Sequence, residues 1–316
     1  MDEVYDVLII GGGPAGLTAG IYLSRGRIRT LLAEKCGCGG QVLLTDSIEN
    51  FPGFPKGIKG PELADVMLKQ AQHFGLEIAS REASSIALRK EDKGPFTVTC
   101  AGGGNIQALS VIMATGARWN SLDIPGEKEL AGRGVSYCAT CDGPLFKNKD
   151  VVVVGGGDTA LEDAIFLTRF ANKVTVVHRR DRLRATRILQ ERASANKKIE
   201  FVLSSVAIEV TGKGKVEGLR IKNLASDEER TIKASGVFVL VGLAPNSEAA
   251  KGLLTLDEKG YIVTDDEMRT SIDGIFACGD VRRKLLRQVV TATGEGATAA
   301  FSAQHYVELL KGIEYK

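Results

Sequence analysis

Cys138 and Cys141 stand three apart in SYCATCDGPLF, residues 136–146, and Asp142 follows at once. A pair at this spacing can hold a metal, staple a loop, or alternate between dithiol and disulfide. A structural zinc site wants four ligands, commonly two such pairs or a pair with histidines. The chain has one Cys-x-x-Cys pair and three histidines, His73, His178 and His305; Cys36 and Cys38 belong to a different loop. No metal site is therefore expected. A permanent staple is disfavoured in a reducing compartment. Electron transfer is the favoured use, because the loop is short and its thiol pKa is readily lowered.

Such a pair needs an electron source, and the elements that could hold one occur twice. Residues 5–25, YDVLIIGGGPAGLTAGIYLSR, read as a strand, a glycine turn and an amphipathic helix; RTLLAEK then reads as a second strand ending at Glu34. Gly11 makes the turn, Gly13 lets a pyrophosphate approach the backbone, and Gly16 lets helix and strand pack closely. Glu34, 18 residues after the last glycine, stands where an acid binds a ribose hydroxyl pair. Residues 150–169, DVVVVGGGDTALEDAIFLTR, repeat residues 6–25 at a constant offset of 144, with nine of twenty positions identical. The second fingerprint is Gly155-x-Gly157-x-x-Ala160.

The repeats differ at the end of their second strand. Adding 144 to Glu34 lands on His178, followed by Arg179 and Arg180, with Arg184 a turn further on. A carboxylate repels a 2′-phosphate, whereas arginines bind it in bidentate fashion. The plainer alternative makes HRRDRLR a solvated basic helix start. On the first reading, one site takes a ribose with free hydroxyls and the other takes NADPH. The arrangement that stands out is a flavin in the first fold and NADPH in the second, with hydride passing between them. Two further strands support it: VIMATGARWN, ending in Thr115-Gly116, and TSIDGIFACGDV, ending in Gly279-Asp280 ahead of a long helix that begins at RQVV. That aspartate can hold a ribityl or phosphate group, and the helix start can stabilise negative charge on a reduced ring.

The expected fold is α/β: two doubly wound Rossmann-like domains, with an NADPH domain (119–245) inserted into an FAD domain (1–118 and 246–316). GARWNSLDIPGE and GLAPNSEA are the two crossings. A length of 316 residues accommodates two such domains. Net charge of +2 gives no hint of nucleic acid or an anionic membrane as partner. The apolar runs are too short to span a bilayer, and no secretory signal is read at the N-terminus, so a cytoplasmic protein is expected.

With these residues assembled, the chain resembles the low-molecular-weight thioredoxin reductases over essentially its whole length. The resemblance rests on GGGPAG, EKxxxGGQ, ENFPGF, ATGA, CATCDG, GGGDTALEDA, HRRDRLRA, CGD and RQ, in the family's order. It implies FAD and NADPH as cofactors, thioredoxin as partner, and a cytoplasmic homodimer. It adds Pro14, Ala15, Lys35, Gly40, Gln41, Asn50, Arg287, Gln288 and Val289 to the FAD site. To the NADPH site it adds Asp158, Thr159, Glu162 and Gly242. By the same resemblance Cys141 faces the flavin, Cys138 attacks thioredoxin's disulfide, and Asp142 protonates the departing thiolate; the plain alternative for Asp142 is a turn aspartate before Gly143. Arg133 and Pro144-Leu145-Phe146 are implied as docking points. The family rotates its domains between two states, and two short crossings suit a hinge.

Cys36-Gly37-Cys38 departs from the family pattern and is read as a pair of incidental loop thiols, with a metal or redox accessory as the alternative. Other functions compete. A reductase of another small disulfide carrier, glutaredoxin-like or peroxide-reducing, would use the same core. A ferredoxin–NADP reductase lacks the cysteine pair, and a non-catalytic NADPH sensor would have no use for it.

Overall fold

The computed structural model describes residues 4–313 except 46, 47, 49, 90–92 and 138. The chain separates into two units, residues 1–118 with 244–316, and residues 119–243. The return crossing thus falls two residues before the 245/246 boundary expected from sequence.

The first unit begins β1 (Val4–Ile10), α1 (Pro14–Arg25), β2 (Thr30–Glu34), α2 (Gly60–His73), β3 (Glu77–Ser80), β4 (Ala83–Ala87), β5 (Phe96–Cys100) and β6 (Asn105–Met113), and leaves through β7 (Ala117–Trp119). Val7 to Ile10 are all buried. A strand covered on both faces reads as an unbroken apolar run, as here, rather than an alternation. Pro14 opens α1 with its backbone angle already helical, and Leu17, Ile21 and Leu23 bury its inner face. The strands lie in the order β3-β2-β1-β6-β5-β4, parallel from β3 to β6. β4 and β5 then continue antiparallel, an addition absent from the sequence reading.

The second unit contains β8 (Val135–Ser136), α3 (Ala139–Asp142), β9 (Asp150–Val154), α4 (Asp158–Leu167), β10 (Lys173–Val177), α5 (Arg187–Ala195), β11 (Ile199–Val202), β12 (Ser205–Thr211), β13 (Gly218–Asn223), β14 (Glu229–Lys233) and β15 (Gly236–Val239), with β16 (Leu243–Pro245) at its exit. Its parallel sheet runs β11-β10-β9-β15-β8, and β12-β13-β14 form a separate antiparallel sheet. Back in the first unit, β17 (Ile275–Ala277) pairs with β6, and α6 (Val289–Leu310) closes the described chain. Strand order reverses beside β1 and beside β9, the positions where doubly wound sheets open a ligand crevice. No described helix is long and apolar enough to cross a membrane.

Candidate functional site

β1 delivers the chain into Gly11, whose N–H donates to the Ala33 carbonyl at 2.9 Å. Gly11 has φ +108°, and a Cβ there would stand 2.3 Å from the Ala114 carbonyl oxygen, so no side chain is admitted. Gly13 differs: a Cβ on it would meet no protein atom within 4 Å. It caps α1, and no side chain bonds the first turn. Helix-start N–H groups beside open space form an anion site. Glu34 is held rigidly alongside, accepting from Gly12 N–H at 2.7 Å and from Cys36 N–H at 3.0 Å.

The remaining first-site residues gather around this turn from distant sequence. A Cβ on Gly40 would lie 3.2 Å from Gly13, and one on Gly279 would lie 2.9 Å from the Ala15 methyl. Gln41 donates to the Ala117 carbonyl. Thr115 Oγ1 donates to the Asn246 carbonyl at 2.6 Å, and Asn246 Nδ2 returns a bond to the Thr115 carbonyl at 2.9 Å, while Asn246 N–H reaches Gly116. Asn50 Nδ2 donates to Gln288 Oε1 at 3.0 Å, and Gln288 caps α6 reciprocally with Thr291, so that the helix starts at Val289 rather than at Arg287. Arg287 lies over the Tyr261 ring at 3.9 Å. Lys35 is the exception. It reaches Glu82 at 3.2 Å on the surface, and Glu82 raises its pKa.

Asn246, Tyr261 and Glu295 carry no motif by which they could be read in advance. Glu295 accepts from Gly279 N–H at 2.8 Å, from Arg282 at 3.0 Å and from Lys284 at 3.2 Å. Asn246 meets Thr115 from 131 residues away, and Glu295 meets Gly279, Arg282 and Lys284 across the loop ahead of its helix, so no motif spacing signals either. Two polar atoms nearby are buried without hydrogen bonds: Arg287 Nε and Asp280 Oδ1, the latter 3.2 Å from the Lys284 ammonium but poorly aligned with it. An open helix start, a fixed ribose-side acid and unsatisfied groups at Asp280 and Arg287 fit FAD.

The second fingerprint repeats the first's backbone contacts. Gly155 N–H donates to the Val177 carbonyl at 3.0 Å, and a Cβ on Gly155 would meet the Leu240 carbonyl oxygen at 2.3 Å. Gly157 has open space around it and caps α4 without a side-chain bond. Asp158 is tied down, accepting from Thr186 N–H at 2.6 Å, while Thr159 and Glu162 are exposed on α4. Gly242, at φ +117°, lies beside Asn120. His178 packs against Gly156, where Glu34 packs against Gly12. Burial lowers the His178 pKa, and Arg179, Arg180 and Arg184 lower it further, so the ring is neutral near pH 7. Its Nε2 is buried and unbonded. Arg179, Arg180 and Arg184 are exposed and make no ion pair among the described residues. Residues 178–186 form bends, and helix begins only at Arg187, so the stretch is not a helix start. Free arginines beside an open helix start fit NADPH.

Of the cysteine pair, Cys138 lies outside the described residues, as does the Cys141 side chain; the Cys141 backbone is in α3, with Asp142 ending that turn. Ala139 is buried in a cluster with Ala160, Ala164 and Leu167 of α4, and Gly143 lies against Phe166 and Leu167. Tyr137 donates to Glu127 at 2.8 Å, and Glu127, fully buried, also accepts from Leu122 N–H. Phe146 corrects the docking expectation: it is buried edge-on against Phe238, centroids 5.2 Å apart, with Gly236 leaving it room. Leu145, 68% exposed, Pro144 and Arg133 remain on the surface. Burial pushes the Asp163 carboxyl on α4 up to about 7, and Glu162 adds to the shift, while a hydrogen bond from Ala139 N–H opposes it. Burial and then Glu34 raise the Cys38 thiol to about 11.

With this geometry in hand, the chain belongs to the pyridine nucleotide-disulphide oxidoreductase family, whose pattern matches residues 5–296. Within that class it is similar to the thioredoxin reductases of Listeria monocytogenes, 50% identical over 98% of this chain and 96% of the relative, and Bacillus subtilis, 49% identical over 98% and 97%. The solved Lactococcus lactis thioredoxin reductase superposes with a TM-score of 0.92 at 45% identity, covering 96% of this chain and 99% of that one.

Proposed function

We propose that this chain reduces the disulfide of thioredoxin with electrons from NADPH, using FAD and the Cys138–Cys141 pair. One observation carries the reading: two dinucleotide turns of like backbone contacts differ in charge at the same place, with Glu34 against Gly12 and His178, followed by Arg179 and Arg180, against Gly156. A carboxylate selects a ribose diol and arginines select a 2′-phosphate. The full-length similarity to thioredoxin reductases points the same way.

In the first site, Gly11 to Gly16 and the start of α1 take the pyrophosphate, with Glu34 on the ribose. Gly40, Gln41, Asn50, Thr115, Gly116, Asp280, Arg287 and Gln288 complete the cradle, and Lys35, paired with Glu82, stands apart from it. In the second, the α4 start with Gly155, Gly157, Asp158, Thr159 and Glu162 takes the NADPH pyrophosphate, and Arg179, Arg180 and Arg184 take its 2′-phosphate. FAD, when bound, supplies the two-electron relay between nicotinamide and a disulfide. The protein's own steps are thiol chemistry. The Cys138 thiolate attacks thioredoxin's disulfide, and Asp142 protonates the thiolate that leaves. Cys141 then attacks the mixed disulfide at Cys138, releasing the second thioredoxin thiol and closing the Cys138–Cys141 disulfide. Arg133 and Leu145 offer the docking surface.

The working form is a cytoplasmic homodimer with neither nucleic acid nor membrane as partner. Exposed Leu285, Leu286 and Phe301 in the first unit support self-association. The functional test is anaerobic incubation of the holoenzyme with oxidised thioredoxin and either NADPH or NADH, counting new thioredoxin thiols. Thiols should appear with NADPH in step with its oxidation. Equal use of NADH, or no thioredoxin thiols, overturns the reading.

A further inference from the structure

The Asp280 turn is backed by enclosed charge that the steps above do not use: Arg282, Lys284 and Glu295. Glu295, in the second turn of α6, is the hub. Its Oε1 accepts from Arg282 at 3.0 Å, and its Oε2 accepts from Lys284 at 3.2 Å and from Gly279 N–H at 2.8 Å. Arg282 Nε donates onward to Thr264 Oγ1 at 2.7 Å. The Lys284 side chain is only 6% exposed, and its ammonium also stands 3.2 Å from Asp280 Oδ1. Of the two cations, Lys284 alone comes within ion-pair distance of Asp280 among the described residues. The hub is fixed to the first dinucleotide turn. A Cβ on Gly296, the next residue of α6, would meet the Ala15 carbonyl oxygen at 2.2 Å, and one on Gly279 would meet the Ala15 methyl. Glu295 therefore ties the Asp280 turn to the helix start that takes the pyrophosphate.

The charges balance, two cations against two carboxylates. Taking such groups out of water is costly, and apolar side chains would hold a loop with less loss. The geometry at Asp280 shows what the charges add. The Lys284 ammonium sits beside Oδ1 but out of line, so it offsets the carboxylate charge and leaves that buried oxygen without a hydrogen bond. Glu295 Oε2 and Thr291 Oγ1, at 3.2 and 3.4 Å, hold the ammonium from its other side. A carboxylate fixed in place with an open lone pair is a preorganised acceptor for a hydroxyl donor.

We propose that Lys284 is a positioning residue for FAD: suspended between Glu295 and Asp280, it balances the Asp280 carboxylate and keeps Oδ1 open for a ribityl hydroxyl of the cofactor. The residue acts through Asp280. This rests on the reading of Asp280 as part of the FAD site.

The test dilutes purified holoenzyme and follows FAD release by flavin fluorescence, giving a dissociation constant for wild type, Lys284→Met, Asp280→Asn and the double variant. Lys284→Met should raise the constant about tenfold. In the Asp280→Asn background, already weakened, the same substitution should add less than about twofold, because the group it serves is gone. A Lys284→Met constant equal to that of wild type overturns the inference. So do two losses that multiply in the double variant, which would make Lys284 a general support of the loop. If Lys284→Met does not accumulate, Glu295→Gln takes its place. Released from its partner, the ammonium turns fully onto Asp280 and occupies the open acceptor, so the same loss and the same dependence on Asp280 are expected. An Asp280→Asn constant equal to that of wild type would instead remove Asp280 from the FAD site and overturn the assignment on which the inference rests.

Discussion

In both units the middle residue of the Gly-Gly-Gly turn offers its carbonyl to the loop that follows the second strand. Gly12 accepts from Gly39 N–H at 2.7 Å, and Gly156 accepts from Arg184 N–H at 2.7 Å. The backbone frame is thus shared as far as that loop, and the side chains hung on it are not. In the first unit the frame ends in a carboxylate already occupied by two backbone donors. In the second it ends in a buried neutral histidine flanked by exposed arginines without ion pairs among the described residues. The comparison teaches that the fold supplies the pyrophosphate site twice, while the residues just past one strand decide which nucleotide each takes.

The largest expected effect comes from breaking that difference. Arg179→Ala with Arg180→Ala removes two charge-assisted phosphate contacts, at roughly 1.5–3 kcal/mol each. KM for NADPH should rise on the order of a hundredfold or more, with NADH use little changed. An equal loss with both nucleotides would mean that the arginines do not read the phosphate. Next come the glycines. Gly11→Ala must drive a Cβ against the Ala114 carbonyl at a positive φ, and should cost roughly 2–4 kcal/mol of stability in denaturant unfolding. Gly13→Ala meets no protein atom, so the fold should hold while FAD dissociation rises about tenfold, or about 1.4 kcal/mol. Unchanged FAD affinity in Gly13→Ala would remove the pyrophosphate from that turn.

The smallest effect is expected at Cys36 and Cys38. Cys36 is exposed, whereas Cys38 packs against Gly12, its sulfur 2.8 Å from where a Cβ on that glycine would stand. The double serine variant should retain thioredoxin reduction, with any loosening of FAD traceable to Cys38→Ser alone by fluorescence titration. Loss of turnover in Cys36→Ser would place these thiols on the electron path.

The parts legible in the sequence are those encoded locally. The 144-residue offset carries over from sequence to hydrogen bonds because strand, turn and helix start are each set by residues within one short segment. Elements set by distant partners were not legible. Asn246 holds Thr115 from 131 residues away. Phe146 reads as an exposed docking aromatic until Phe238 and Gly236 enclose it. Lys35 stands in a matching motif but spends its charge on Glu82.

The central claim is that Cys138 and Cys141 store electrons in addition to the flavin. Anaerobic titration of the oxidised holoenzyme with NADPH, followed by flavin absorbance and thiol count, tests it directly. A flavin and a disulfide each take two electrons. Wild type should therefore consume about two equivalents of NADPH per chain and expose two new thiols, while the double variant Cys138→Ser, Cys141→Ser should stop at about one and expose none. A wild-type endpoint of about one equivalent with no new thiols would contradict the account.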